Sequence, residues 1–158
     1  MADDWTTKIN TGVPNPARIY DYLLGGKDNF PADREVADQV LAIAPVARDV
    51  VEDNRAFLRR VVRHLAGAAG VRQFIDLGSG LPTQGNVHEI AQEVAPDARV
   101  LYVDNDAMVV THSRALLAGD NTVAIQADLR EPEAVVAHPE VRELINFDQP
   151  IALLLMAI

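Results

Sequence analysis

The sequence contains no cysteine, so it forms neither a disulfide bond nor a zinc site with thiolate ligands. It also has no apolar run near the ~20 residues of a membrane span, and no basic and then apolar leader at its start. We therefore expect a protein of the reducing cytoplasm that is not embedded in a membrane. No group of histidines and carboxylates has the spacing of a metal site, and we expect no metal ion.

Positive charge is scarce as well, because 14 Lys and Arg stand against 23 Asp and Glu, a formal net charge of −9. Proteins bind nucleic acids mainly through clustered Lys and Arg. The densest basic group, at Arg55, Arg59, Arg60 and Arg63, has the spacing of a solvated helix face. We expect a small-molecule partner and no nucleic acid, and the sequence is compatible with a homo-oligomer.

The pattern changes near residue 70, which predicts two parts. Residues 1–70 combine a Gly-, Pro- and Asn-rich arm over 1–32 with two helical patterns. Asp33 is the predicted N-cap of the first helix, which Pro45 ends. The buried stripe predicted for the second helix is Val50, Asn54, Phe57, Leu58, Val61 and Leu65.

Residues 71–158 alternate short β-rich runs with helical patterns, which predicts an α/β fold with a Rossmann-like parallel sheet. The predicted strands are Val71–Asp76, Arg99–Asp104, Thr122–Asp128 and Ile151–Ile158. The last is expected to be fully buried, and the chain is expected to stop inside its sheet, without the C-terminal strands. An apolar strand at an open edge also predicts self-association.

The first of these strands ends in a motif with chemical meaning. Asp76 is followed by a turn in which Gly78 and Gly80 flank Ser79, and such glycines allow positive φ and close approach of a ligand. A dinucleotide fingerprint would carry a third glycine where this chain has Thr83. A carboxylate suits a ligand with an ammonium and a sulfonium better than a pyrophosphate. The motif therefore favours S-adenosylmethionine, although a tight turn without a ligand would use the same residues.

Acidic residues also end the next two predicted strands. Asp104, followed by Asn105, stands where a carboxylate can accept both ribose hydroxyls. Asp128 stands where it can accept from the adenine amine, with Leu129 flanking the ring, although an Asp there also suits a turn. Ligands of open parallel sheets bind at the carboxyl ends of the strands, where the three acids would meet.

Six strings of residues are distinctive when taken together: 17–30, 52–58, 75–83, 86–89, 103–106 and 127–130. In these strings the chain resembles a bacterial family of S-adenosylmethionine-dependent methyltransferases of undefined substrate. The resemblance implies a class I methyltransferase fold with the glycine turn at the methionine moiety, Asp104 at ribose and Asp128 at adenine. It implies seven strands where this chain supplies four, and it supplies neither an acceptor nor a catalytic base.

Two alternatives remain from the sequence: a nicotinamide dehydrogenase half-domain, which shares the βαβ unit, and a module that binds cofactor without transferring methyl. The polar and aromatic segment at 20–29 is either a lid over the cofactor or a structural arm across the sheet edge. Unchanged cofactor affinity after removal of residues 1–32 would exclude the lid.

Overall fold

The computed structural model describes residues 10–82, 85–116 and 119–157, so Thr83 of the predicted motif lies outside the described residues. The chain divides into two compact units, residues 1–53 and 54–158. Among the described helices, none has both the length and the apolar character needed to cross a membrane.

The first unit contains helices α1 (Pro16–Leu23) and α2 (Pro31–Ile43) and the start of α3 (Ala47–Gly67). Its apolar core contains Leu23, Ala37 and Val51. The prediction that Asp33 is the N-cap of α2 is wrong, because Pro31 already occupies the first turn of the helix. The Asp33 carboxylate instead accepts the N–H of Phe30, the residue before the helix, at 2.8 Å.

A buried ion pair holds α1 to α2. Arg18 Nε donates to Asp33 Oδ2 at 2.8 Å, and the two side chains are only 4% and 0% exposed. Burial acts to raise the pKa of Asp33, but hydrogen bonds from Arg18 and from the Phe30 and Asn15 N–H groups outweigh it and lower the pKa. Asp33 therefore organises the arm as an ionised, fully satisfied group.

The segment between α1 and α2 is folded around a second buried carboxylate, Asp21. Its Oδ2 accepts from the Asp28 N–H and from Asn29 Nδ2, both at 2.9 Å. A β carbon on Gly26 would lie 2.0 Å from Asp21 Oδ1, so only glycine fits there. Gly26, Asp28 and Asn29 thus have a structural role inside the first unit.

The buried stripe of helix α3 matches the prediction only in part: Leu58 is buried as predicted, at 3% exposure. The residues that it buries are Val51, Leu58, Val62 and Ala66. Val50 and Phe57, which were predicted to be buried, are 60% and 49% exposed. Each residue advances a helix by about 100°. The buried face begins at Val51 and not at Val50, so it is rotated relative to the predicted face.

The second unit is a four-stranded sheet with helices on both faces. Its strands are β1 (Gln73–Leu77), β2 (Arg99–Asp104), β3 (Thr122–Gln126) and β4 (Ala152–Leu155). They are all parallel and follow the order β3-β2-β1-β4. The connecting helices are α4 (Val87–Val94), α5 (Ala107–Leu116), α6 (Pro132–Ala137) and α7 (Pro139–Leu144).

Each face of the sheet has its own core. On one face the strand residues Phe74, Val100 and Tyr102 pack with residues of α3, α4 and α5. On the other face Ile75, Leu101, Val103 and Ile125 pack with residues of α6 and α7. The apolar strand runs are long because the inner strands are covered on both sides.

Strand β4 differs from the prediction of a fully buried strand. Ala152 and Leu154 are buried, whereas Leu153 and Leu155 are 61% and 56% exposed. Its neighbour in the described sheet is β1, so β4 is an edge strand with one covered face. An apolar run cannot by itself distinguish such a strand from a central one.

Candidate functional site

The glycine turn after β1 packs against the end of β2. The N–H groups of Gly78 and Ser79 donate to the Val103 carbonyl at 2.8 and 3.3 Å. Gly78 and Gly80 have φ values of 64° and 65°, in the left-handed region that favours glycine. This conformation turns the chain sharply across the carboxyl ends of two adjacent strands.

Asp104, the last residue of β2, ties this turn to the next one. Its Oδ2 accepts the Gly80 N–H and its Oδ1 accepts the Asp106 N–H, both at 2.9 Å. A carboxylate has about four lone-pair positions, so each oxygen still has capacity for a ligand hydroxyl. The structure thus brings Asp104 and Gly80 together. Asp106, in turn, accepts the Met108 N–H at 2.8 Å and caps α5.

Asp76 lies near enough to Asp104 for the two charges to interact, and it is 8% exposed. Burial raises the pKa of its carboxyl to about 7, Arg55 opposes the rise, and the charge of Asp104 adds to it. A buried carboxylate next to a second carboxylate gains from any cation that enters the site. The two neighbouring carboxylates therefore favour the binding of a positively charged group.

Tyr102, opposite Asp76 on β2, fixes the start of α4. Its hydroxyl accepts the His88 N–H at 2.9 Å and lies 2.8 Å from His88 Nδ1. Burial raises the pKa of Tyr102 well above its ordinary value and lowers that of His88, which Glu89 partly offsets. The neutral hydroxyl therefore donates to Nδ1, and the His88 proton is assigned to Nε2. Sequence reasoning missed Tyr102, because its partner lies 14 positions away.

Ser79 and Gly80 present features that a ligand would satisfy. Ser79 Oγ is buried and has no hydrogen-bond partner within the described ranges. Buried hydroxyls normally have such a partner. A β carbon at Gly80 would meet no atom within 4 Å, so the turn faces open space on that side. The glycine turn thus combines a buried hydroxyl without a described partner at Ser79 and open space at Gly80.

The third predicted acid, Asp128, has a different environment. It lies two residues beyond β3, and its carboxylate accepts from the backbone and guanidinium of Arg130. The hydrogen bonds from the Arg130 side chain hold the pKa of Asp128 at about 2. Leu129 is 37% exposed, and the Asn105 carbonyl accepts from Gln126 Nε2 at 3.1 Å. The contacts of Asp128 are thus with its own turn, whereas Asp104 bonds to the glycine turn and its charge acts on Asp76.

Two arginines of α3 also reach the loop before α4. Arg55 Nη2 donates to the Gly85 carbonyl at 3.4 Å, and Arg59 Nη2 lies 2.8 Å from the position of a β carbon on Gly85. Sequence reasoning took both for a solvated face. Their i, i+4 spacing was a usable signal, because it places both on one side of the helix.

The sheet order, the crossover helices and the acidic strand ends around a glycine turn define a Rossmann-like α/β protein. The chain belongs to the S-adenosyl methyltransferase family, whose model matches residues 2–158. The predicted fold class and family resemblance are confirmed by this match and by two solved structures.

One of these structures is a crystal structure of a candidate methyltransferase from Thermobifida fusca, 55% identical, with a TM-score of 0.88. It aligns with 91% of this chain and 55% of its own. The other is a DUF574 family protein from Streptomyces avermitilis, 45% identical, with a TM-score of 0.89, aligned over 92% of this chain and 57% of its own. Among curated proteins, none matches the chain. The chain thus spans little more than half the length of these solved structures, and none of the comparisons favours the dehydrogenase alternative.

Proposed function

We propose that this chain is the S-adenosylmethionine-binding part of a methyltransferase that acts on a small-molecule acceptor. The observation that carries the proposal is the bond from Gly80 N–H to the Asp104 carboxylate, at 2.9 Å. It sets a glycine turn and a ribose-binding carboxylate side by side at the carboxyl edge of the sheet. Family membership supports the same cofactor.

The residues present fit this cofactor. Its positive charges suit Asp76 and Asp104, which lie close enough for the charge of one to raise the pKa of the other. Ser79 Oγ, buried without a partner in the part of the chain that the structure describes, supplies a hydroxyl for a polar group of the ligand. A side chain at Gly80 would extend into open space, and its φ of 65° disfavours any residue other than glycine.

Each residue has a distinct role in this proposal. Asp104 accepts the ribose hydroxyls, with Asn105 next to them, and the turn from Gly78 to Gly80 borders the methionine moiety. Leu129 offers an apolar surface to adenine, and Asp128 accepts from the adenine amine. Arg130 already donates to Asp128, so we expect this contact to contribute less than that of Asp104.

When bound, S-adenosylmethionine supplies a methyl group on a sulfonium that is already activated for transfer. The residues of this chain then act by holding and orienting, which lowers the barrier without a strong base. We propose a small-molecule acceptor because the net charge of −9 disfavours a nucleic-acid substrate.

Isothermal titration calorimetry with S-adenosylmethionine and its demethylated product, S-adenosylhomocysteine, tests the proposal. We expect dissociation constants in the range of about 1 to 100 µM. Asp104→Asn keeps one oxygen acceptor but loses the charge, and we expect it to weaken both ligands at least about tenfold. The matched control is Asp97→Asn, at the other end of β2, because Asp97 is 74% exposed and pairs only with Arg72 among the described contacts.

The outcomes separate the alternatives. Micromolar affinity for NAD without a response to S-adenosylmethionine would replace the proposal with the dehydrogenase. Cofactor binding without methyl transfer to any acceptor by the protein of full family length would indicate a non-catalytic module. Equal affinity of Asp104→Asn and wild type would show that Asp104 is not a ligand.

A further inference from the structure

The acidic site has a basic border formed by α3. Arg55 and Arg59 project from one side of the helix, while Leu58 and Val62 anchor that helix in the core at 3% and 0% exposure. The contacts of Arg55 and Arg59 with Gly85 bring both guanidinium groups to the loop that runs from Gly80 into α4. This anchoring limits how far either side chain can move from the loop.

Gly85 allows the two guanidinium groups to approach the loop closely. Gly85 has φ 75°, and Arg59 Nη2 lies only 2.8 Å from where its β carbon would be. A residue with a side chain at this position would displace the guanidinium, so glycine is what allows Arg59 to approach the backbone. Arg55 also reaches inward, because its charge acts on the buried Asp76.

We propose that Arg55 and Arg59 bind the carboxylate of the methionyl group of the ligand. The inference rests on the proposed function. S-adenosylmethionine carries an ammonium, a sulfonium and a carboxylate, and a site with only acidic residues would repel the last of these. Asp104 contacts the glycine turn at Gly80, and Arg55 and Arg59 contact the same loop at Gly85, so the loop is bordered by groups of both signs, as this ligand requires. Arginine suits a carboxylate because its planar N–H groups can donate to both oxygens.

A ligand that lacks only the carboxylate tests the assignment. Decarboxylated S-adenosylmethionine keeps the adenosine, the sulfonium and the ammonium. We expect wild type to bind S-adenosylmethionine about tenfold more tightly than this analogue, the range of a charge-assisted hydrogen bond. Arg55→Gln and Arg59→Gln should each reduce that preference by about three- to tenfold, without weakening the analogue.

Two further variants keep the test sharp. Arg63→Gln, on the same helix, removes an exposed ion pair with Glu93 and should change neither affinity. Arg55→Lys keeps the charge and should restore part of the preference. Equal loss of affinity for both ligands in the two glutamine variants would overturn the inference and leave the proposed function intact. Failure of wild type to bind either ligand would refute the proposed function and the inference with it.

Discussion

Replacing Asp76 with Asn should change how the stability of the chain depends on pH. Burial raises the pKa of Asp76 to about 7 in the folded state, against 3.8 for an ordinary Asp. The folded state therefore holds a proton that the unfolded state has released between these two values. Its contribution is fully present below pH 3.8 and is lost as the pH rises through 7.

The size of the effect follows from linkage. One pKa unit corresponds to about 1.4 kcal/mol, so between pH 5 and 8 the wild-type chain should lose about 2 to 3 kcal/mol relative to Asp76→Asn. Asn is nearly isosteric with Asp and does not titrate. For a chain of this size the difference amounts to about 5 to 10 °C in melting temperature.

The assay is urea unfolding followed by circular dichroism at pH 5, 6, 7 and 8 for both chains. All other titratable groups are common to the two chains, so their contributions cancel in the difference. Asp97→Asn, at an exposed site, should follow the wild-type curve. Parallel curves for wild type and Asp76→Asn would show that Asp76 has an ordinary pKa in the folded state, and the electrostatic account of the site would fail.

Gly80→Ala should cost about 1 to 2 kcal/mol of stability, because only the positive φ opposes it; an unchanged melting temperature would contradict this. Arg18→Gln should cost about 3 to 5 kcal/mol in urea unfolding, because it leaves a buried carboxylate unpaired. Arg63→Gln, which removes the exposed ion pair with Glu93, should cost less than about 1 kcal/mol; equal losses of stability in Arg18→Gln and Arg63→Gln would contradict this difference. Leu153→Lys with Leu155→Lys should reduce self-association in light scattering; equal association of variant and wild type would place the contact elsewhere.

Local signals in the sequence predicted most of the second unit. Strand β2 has the predicted bounds, because its apolar run is short and ends in Asp104. The start of α4 was predictable from Asn86, whose N–H donates to the Glu89 carboxylate at 2.8 Å. The juxtaposition of Gly80 and Asp104 followed from parallel strand ends meeting at one edge.

Features that depend on tertiary packing were not predictable in this way. Phe57 was expected inside because it is large and apolar, but the rotation of α3 is set by what it packs against, and Phe57 is 49% exposed. The same rotation decides that Arg55 reaches Gly85, so the basic border of the site was missed. Exposure of Leu153 depends on strand order, which a strand's own residues do not encode.

The double role of Asp104 has a consequence for the kinetics of recognition. Its two oxygens already accept from the amides of Gly80 and Asp106, so both turns are held in place without a ligand. Ordering a loop during association costs conformational entropy and slows binding. The turns at Gly80 and Asp106 are already ordered, so they add little to this cost. Both amide protons should be protected from exchange with deuterium in the ligand-free chain, and the ligand proposed above should bind in a single fast step.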